Sequence, residues 1–353
     1  MDFRFEDEHR LLQETLATFL EKEHPPARVR ALWETATGRS RELWARLAEI
    51  GVPGLLVPEE HGGLGLDEVA MVLLQEECGR AALAEPVIST AAVAAPLLRE
   101  LGGSAAARWL PAVAAGEAIV AVALPGLPFV SDLHVADLLL FGERGRLRAI
   151  APGAARATAQ PANDPSRRLF SVEADPDAGE ELARGEQADR LLADAFARGA
   201  LAAAAQLVGV CRRLLDLAVS HASQREQFGR PIGAFQAVKH MLADVAVKLE
   251  YARPQVYRAA WSVARAAPLR DLHVSMAKDA AGQAALFAAR RALQVHGAIG
   301  YTWEHDLHIF MRRAWSLERA YGRSRLHHDR MVRAVMEEGV PIGPGATFGG
   351  ESS

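Results

Sequence analysis

Two long helical patterns, separated by a shorter stretch with the texture of β-strands, leave this chain few ways to fold. In the first, Leu11, Leu12, Leu16, Phe19 and Leu20 recur at the spacing of one helical face. In the last, Leu207, Val208, Cys211, Leu214, Leu215 and Val219 mark one face, and Val238, Met241, Leu242, Val245 and Leu249 another. Between them, residues 118–124 and 136–141 are short apolar runs bounded by turns, followed by candidate strands at 146–150 and 169–173. The implied fold class is mainly α with a small β domain, the β part a hairpin-built sheet or half-barrel.

Breakers divide the helical blocks. Pro25-Pro26 closes the first helix, and Gly51-Val52-Pro53-Gly54 follows a segment carrying Trp44 and Leu47. Gly62-Gly63-Leu64-Gly65 precedes a helix predicted over 67–79, with Asp67 as its N-cap. Two further helices are predicted over 272–295 and 307–321, completing a four-helix bundle. The expected organisation is an N-terminal helical domain over 1–117, a reduced middle β domain over 118–186, a C-terminal four-helix bundle over 187–338 and a flexible tail over 339–353.

With 353 residues, half of them apolar, the chain can bury a large core, which excludes disorder and a disulfide-stapled miniprotein. Lys and Arg number 40 against 44 Asp and Glu, a net charge of −4, so no broad basic field invites nucleic acid or an anionic membrane. Cys78 and Cys211 fall inside apolar helical patterns and read as buried thiols of a reduced compartment. The first residues lack the apolar segment of a secretory signal, and no uninterrupted apolar run of about 18 residues follows. The expectation is a cytoplasmic protein with no membrane association.

The chain has no P-loop, no GxGxxG after a strand, no HExxH and no GxSxG. Its richest chemistry is the loop Arg225-Glu226-Gln227-Phe228-Gly229-Arg230-Pro231-Ile232-Gly233-Ala234-Phe235-Gln236. Arg225 supplies a fixed charge for a pyrophosphate, glycine backbone allows close approach, and Phe228 or Phe235 offers a face for an adenine or flavin ring. A surface turn with its Phe residues buried beneath it uses the same composition.

That loop resembles the FAD-binding loop of the acyl-CoA dehydrogenase family, and the resemblance covers nearly the whole chain. Gly51-Val52-Pro53-Gly54-Leu55-Leu56-Val57-Pro58-Glu59-Glu60-His61-Gly62-Gly63-Leu64-Gly65-Leu66 is similar to the family's N-terminal signature. Ala252-Arg253 through Trp261, and Met276-Ala277-Lys278, resemble its C-terminal bundle. The stretch from Gln294-Val295-His296-Gly297-Ala298 to Asp306 is similar to its cofactor-touching glycine loop. The resemblance implies FAD as cofactor, an acyl-CoA thioester as substrate, α,β-dehydrogenation as reaction and an electron-transfer acceptor. It also implies that one subunit lends Arg225, Gln227, Phe228, Gly229, Ile232, Phe235, Gln294, Val295, Gly297 and Ala298 to the FAD of its neighbour.

The chain departs from the family at three places. Ala298 stands where a glycine is usual. The middle-domain stretch that holds the flavin ring reads Leu124-Pro125-Gly126-Leu127-Pro128, without the family's Thr or Ser-Asp, and no Trp occurs between Trp109 and Trp261. The family's proton-abstracting Glu has two alternative positions, and here they hold Tyr321, before Gly322, and Gly199. Glu318, one turn before Tyr321, is a candidate displaced base, or else a surface ion-pair partner beside Arg312, Arg313 and Arg319.

Three readings follow. In the first the chain works beside a second, catalytic acyl-CoA dehydrogenase-family subunit, as heterodimer or heterotetramer; such pairs are known among bacterial enzymes degrading sterol or other bulky acyl-CoA side chains. In the second it self-associates as a sufficient dehydrogenase with Glu318 as base. In the third it is a non-enzymatic scaffold or nucleic-acid-binding relative, disfavoured by its charge. His305 and His308, and likewise His327 and His328, read as solvated or interface side chains rather than metal ligands. Arg323, Arg325, Arg330 and Arg333 read as a solvated helix face, and Trp44, Trp303 and Trp315 as core or interface packing.

Overall fold

The computed structural model describes residues 5–343, so the predicted tail from 344 onward lies outside the described residues. The N-terminal block folds as α1 (Asp7–Glu23), α2 (Pro26–Trp33), α3 (Arg41–Glu49), α4 (Glu68–Arg80), α5 (Ala95–Leu101) and α6 (Gly103–Ala114), with a π-helical stretch, Val87–Ala94, leading into α5. Helix starts follow local chemistry: Pro26 opens α2, Ser40 caps α3 by accepting from the Leu43 N–H, and Asp67 caps α4 by accepting from the Val69 N–H at 2.9 Å. Leu16, Leu20, Leu43, Trp44 and Leu47 are buried in one cluster with the apolar face of α4.

The middle stretch forms two small sheets rather than one. Its strands are β1 (Val120–Ala123), β2 (Val130–Ser131), β3 (Leu138–Glu143), β4 (Arg146–Ile150), β5 (Ala155–Gln160), β6 (Leu169–Ala174) and β7 (Glu180–Arg184). They pair in the orders β1-β3-β4-β7 and β2-β6-β5. β1 and β3 run parallel, which corrects the hairpin-built expectation: a parallel pair needs a crossover, and the chain between them makes one through β2 of the other sheet. β2 is only two residues long and β5 carries no buried side chain, so neither has an apolar alternation to read.

Helix resumes at α7 (Gly185–Gln224), followed by a hairpin of β8 (Glu226–Gln227) and β9 (Arg230–Pro231), then α8 (Gln236–Ala264), α9 (Arg270–His296), α10 (Leu307–Arg319) and α11 (Ser324–Met336). α7 is the axis of the molecule, packing against α4, α8, α9 and α10. One window of it is long and apolar enough to cross a membrane, but 83% of that window is buried within the fold, as in the core helix of a bundle. Two glycines let α4 and α7 cross backbone to backbone: a Cβ at Gly79 would meet the Gln206 carbonyl oxygen at 2.1 Å, and one at Gly209 would meet that of Glu76 at 1.9 Å. Val219, expected on the apolar face, is exposed, because the last turns of α7 extend toward the hairpin.

Candidate functional site

α7 and α9 end at the same end of the bundle, where the ring of His221 stacks on that of His296 at 4.5 Å. Four residues past His221 the chain leaves the helix at Arg225, and His296 itself closes α9 before the Gly297 turn. The two loops singled out from the sequence therefore meet in space. Arg225 is exposed and makes no ion pair among the described residues, while Gln227 is exposed and donates from Nε2 to the Glu226 carbonyl. Phe228 stands 92% exposed at a left-handed φ of +55°, its ring perpendicular to that of Phe235 with centroids 6.1 Å apart, and the Arg230 guanidinium lies over the Phe235 ring at 4.2 Å. Ile232 is half-buried against the core, Val295 is buried, and Gln294, Gly297 and Ala298 are exposed.

These residues fit a dinucleotide. An unpaired guanidinium is free for a diphosphate. A Cβ at Gly229 or Gly297 would meet nothing within 4 Å, so the backbone there is open to a ligand. Ala298 keeps a negative φ, and its methyl therefore introduces no backbone strain where the family has glycine. Ile299, Tyr301 and Trp303 extend the exposed apolar surface beyond the glycine loop.

The two base positions lie against each other. A Cβ built at Gly199 would stand 2.1 Å from Tyr321 Cε1, so the tyrosine ring fills the space that a side chain on α7 would need. The expectation that Glu318 and Tyr321 share a helical face is overturned: α10 ends at Arg319, Ala320 is extended, and Tyr321 has a φ of +52°. The Glu318 carboxylate instead accepts from the Ser324 N–H at 2.9 Å, capping α11. Lys278, fully buried, donates to the carbonyls of Glu318 and Gly322, and His327 bonds the Tyr321 carbonyl at 2.9 Å. His327 is thus buried rather than solvated, because it ties down the turn that carries Tyr321.

On the β side the loop between β5 and β6 is seated on the helices. Trp33 Nε1–H donates to Ser166 Oγ at 2.6 Å, Arg312 donates to the Asn163 carbonyl at 2.7 Å, and the buried Arg313 pairs with Asp164 at 2.6 Å. Sequence reasoning missed Ser131 and Asp132, which follow Pro128 closely. Asp132 pairs with buried Arg39, and Ser131 Oγ accepts from Arg167. Glu85, pushed up to about 7 by burial, accepts from the Ser40 N–H through one oxygen and leaves the other unpartnered. A cavity of about 40 Å³ among Arg39, Glu85, Asp132, Arg167, Gln206 and Tyr321 has room for a few solvent molecules and no more.

Elsewhere, His308 packs between Trp33 and Trp303, and no group of metal ligands occurs among the described residues. Arg325 and Arg333 pair with Asp329 and Glu337 along α11, whereas Arg330 lies over the Phe196 ring at 4.6 Å. Phe196 in turn presents an edge to Tyr321 and borders an open cleft of about 820 Å³ between α7, α9 and α11.

A helical N-terminal block, a small β domain and a helical bundle, with a dinucleotide-fitting bundle end, define an acyl-CoA dehydrogenase fold. Residues 6–117 match the model of the acyl-CoA dehydrogenase N-terminal domain, and residues 190–336 that of the C-terminal domain. The chain is 34% identical over 317 residues to acyl-CoA dehydrogenase IpdE2 of Mycobacterium tuberculosis, covering 87% of this chain and 91% of that protein. It is 33% identical over 331 residues to acyl-CoA dehydrogenase IpdE2 of Mycolicibacterium smegmatis, covering 93% and 99%. The chain belongs to the acyl-CoA dehydrogenase family, oxidoreductases that act on acyl-CoA and are generally FAD-dependent. Among solved structures, the ChsE4-ChsE5 complex from Mycobacterium tuberculosis matches with a TM-score of 0.85 at 24% identity, over 97% of this chain and 100% of that one. Butyryl-CoA dehydrogenase from Megasphaera elsdenii matches with a TM-score of 0.85 at 20% identity, over 96% and 100%.

Proposed function

We propose that this chain is the cofactor-completing subunit of a hetero-oligomeric, FAD-dependent acyl-CoA dehydrogenase of the cytoplasm, working beside a second family member that holds the flavin ring, the acyl-CoA and the base. One observation carries the reading: the two expected base positions hold Gly199 and Tyr321, neither a carboxylate and the ring of the second closing the space beside the first, while Arg225, Phe228 and Gln294 stand open at the bundle end. Arg225 would hold the pyrophosphate, Phe228 and Phe235 would flank a ring, and the Gly229 and Gly297 backbones would approach it. FAD, when bound, supplies the hydride acceptor of α,β-dehydrogenation, and an electron-transfer partner then takes the electrons. This chain's part is to bind and orient. The self-sufficient alternative with Glu318 as base is disfavoured, because that carboxylate is engaged at the start of α11.

The test is purification of the chain alone and co-expressed with an acyl-CoA dehydrogenase-family neighbour from its genome, counting flavin by visible absorbance. A colourless lone chain and about one FAD per pair support the proposal; a lone chain that carries FAD and oxidises an acyl-CoA overturns it. In the pair, Arg225→Ala should weaken flavin retention by the roughly 1.5–3 kcal/mol of a hydrogen bond to a charged group.

A further inference from the structure

We propose that His221, His296 and His305 are positioning residues: three packed imidazoles that lock the Arg225 hairpin to the Gln294 loop in cofactor-holding geometry, and release it when they gain protons. This rests on the reading that the two loops hold a cofactor.

The three rings come from three places in the chain and meet under both loops. His221 lies in the last turns of α7, His296 is the last residue of α9, and His305 precedes α10. His296 is the hub, stacked on His221 at 4.5 Å and edge-on to His305 at 4.6 Å, while His221 and His305 stand 6.4 Å apart at 90°. The hydrogen bonds assign the tautomers. His296 Nδ1–H donates to the Ala292 carbonyl at 2.7 Å, leaving Nε2 as a bare, buried lone pair with no partner. His305 Nδ1 accepts from the Leu307 N–H at 3.1 Å, serving the first turn of α10.

The His305 bond requires a neutral ring, whereas the His296 bond to Ala292 survives protonation and it is the buried, unpartnered Nε2 that resists the charge. A proton on His305 Nδ1 ends its bond to Leu307, and one on His296 Nε2 sets a buried charge between two other imidazoles. The charged neighbours do not relieve it. From the end of α7, the Arg225 guanidinium acts on His221 as a like charge. Beside His305, Asp306 is already paired with Arg30 of α2, and Glu304 is exposed. From α10, His308 is itself disfavoured in its charged form, chiefly by burial and then by the nearby Arg312 and Arg30 guanidinium groups. Burial accordingly holds all three below the ordinary histidine value, His296 at about 4. The folded arrangement binds fewer protons than a loosened one, so the lock is full above pH 6.5 and weakens as pH falls toward 4.

The experiment follows flavin retention in the co-expressed pair across this pH range, for the native chain, His296→Phe, which keeps a ring without a titrating nitrogen, and His305→Asn, which keeps an acceptor. Release on acidification in the native pair, with the midpoint moved at least about half a pH unit lower in either variant, is the expected result. Coincident midpoints in all three overturn the proposal. A second readout needs no flavin: in the lone chain, hydrogen exchange of 225–235 and 294–303, corrected for its intrinsic pH dependence, should rise on acidification in the native chain and less in the variants. Exchange that does not differ among them also overturns it. If Arg225→Ala leaves flavin retention unaltered while the exchange result holds, the cofactor reading fails and the imidazole lock stands.

Discussion

The ring of Tyr321 occupies the place that any side chain at Gly199 would have to take, with Cε1 only 2.1 Å from the position of a Cβ there. The two residues belong to different elements, one on α7 and the other in the turn between α10 and α11, and the ring of one takes the space that a side chain on the other would need. A base at one position would require the other to give way.

Gly199→Ala should therefore destabilise the chain. A methyl in mid-helix gains roughly 0.5–1 kcal/mol in backbone terms, but overpacking costs about 1–3 kcal/mol, and here the ring and not a flexible tip blocks it. Chemical denaturation of Gly199→Ala, Tyr321→Ala and the double variant checks this. The coupling should be large and favourable in the double variant, and additive losses would contradict the contact.

Phe228→Ala should leave the lone chain's stability within about 0.5 kcal/mol of native, since a surface side chain 92% exposed packs on little. The same change should reduce flavin retention in the pair. Thermal denaturation of the lone chain beside absorbance of the pair separates a binding role from a folding one.

Asp164→Ala should cost about 3–5 kcal/mol, because it strands the buried Arg313 guanidinium. Arg313 also donates to the Leu83 and Ala82 carbonyls, so the loss should loosen the β5–β6 loop and the end of α4 together. Urea denaturation measures the loss, and limited proteolysis within 161–168 reports the loop.

Lys278 gives a pH signature of the same sign as the histidines in a separate, higher window. Burial pushes its ammonium from 10.5 down to about 7, so the folded chain binds fewer protons than the unfolded chain between those values. This contribution to stability should rise with pH across that window. Lys278→Met should lack the rise, and parallel stability curves for the two proteins would count against the assignment.

What the residues disclosed in order along the chain was what repeats locally. Leu16 and Leu20, or Leu207, Val208, Cys211 and Leu214, announce a buried helical face, and Asp67 announces a helix start, because periodicity and capping act over a few residues. Contacts between distant residues were not legible. His221, His296 and His305 share no local pattern, and the ion pairs Arg39–Asp132 and Arg313–Asp164 join residues that nothing in their neighbourhoods links. Glu318 misled for a related reason: helical spacing was extended past Arg319, where the backbone turns and the carboxylate serves the next helix instead.

α7 runs without interruption from the β domain to the hairpin, and at about 1.5 Å per residue it sets Gly199 and Arg225 about 39 Å apart on one rigid rod. No side chain spans that distance. The station where a proton would be taken and the station where a dinucleotide would be gripped are thus mechanically joined but chemically insulated. On the proposed reading, a change at the first leaves the second intact without redesigning the fold.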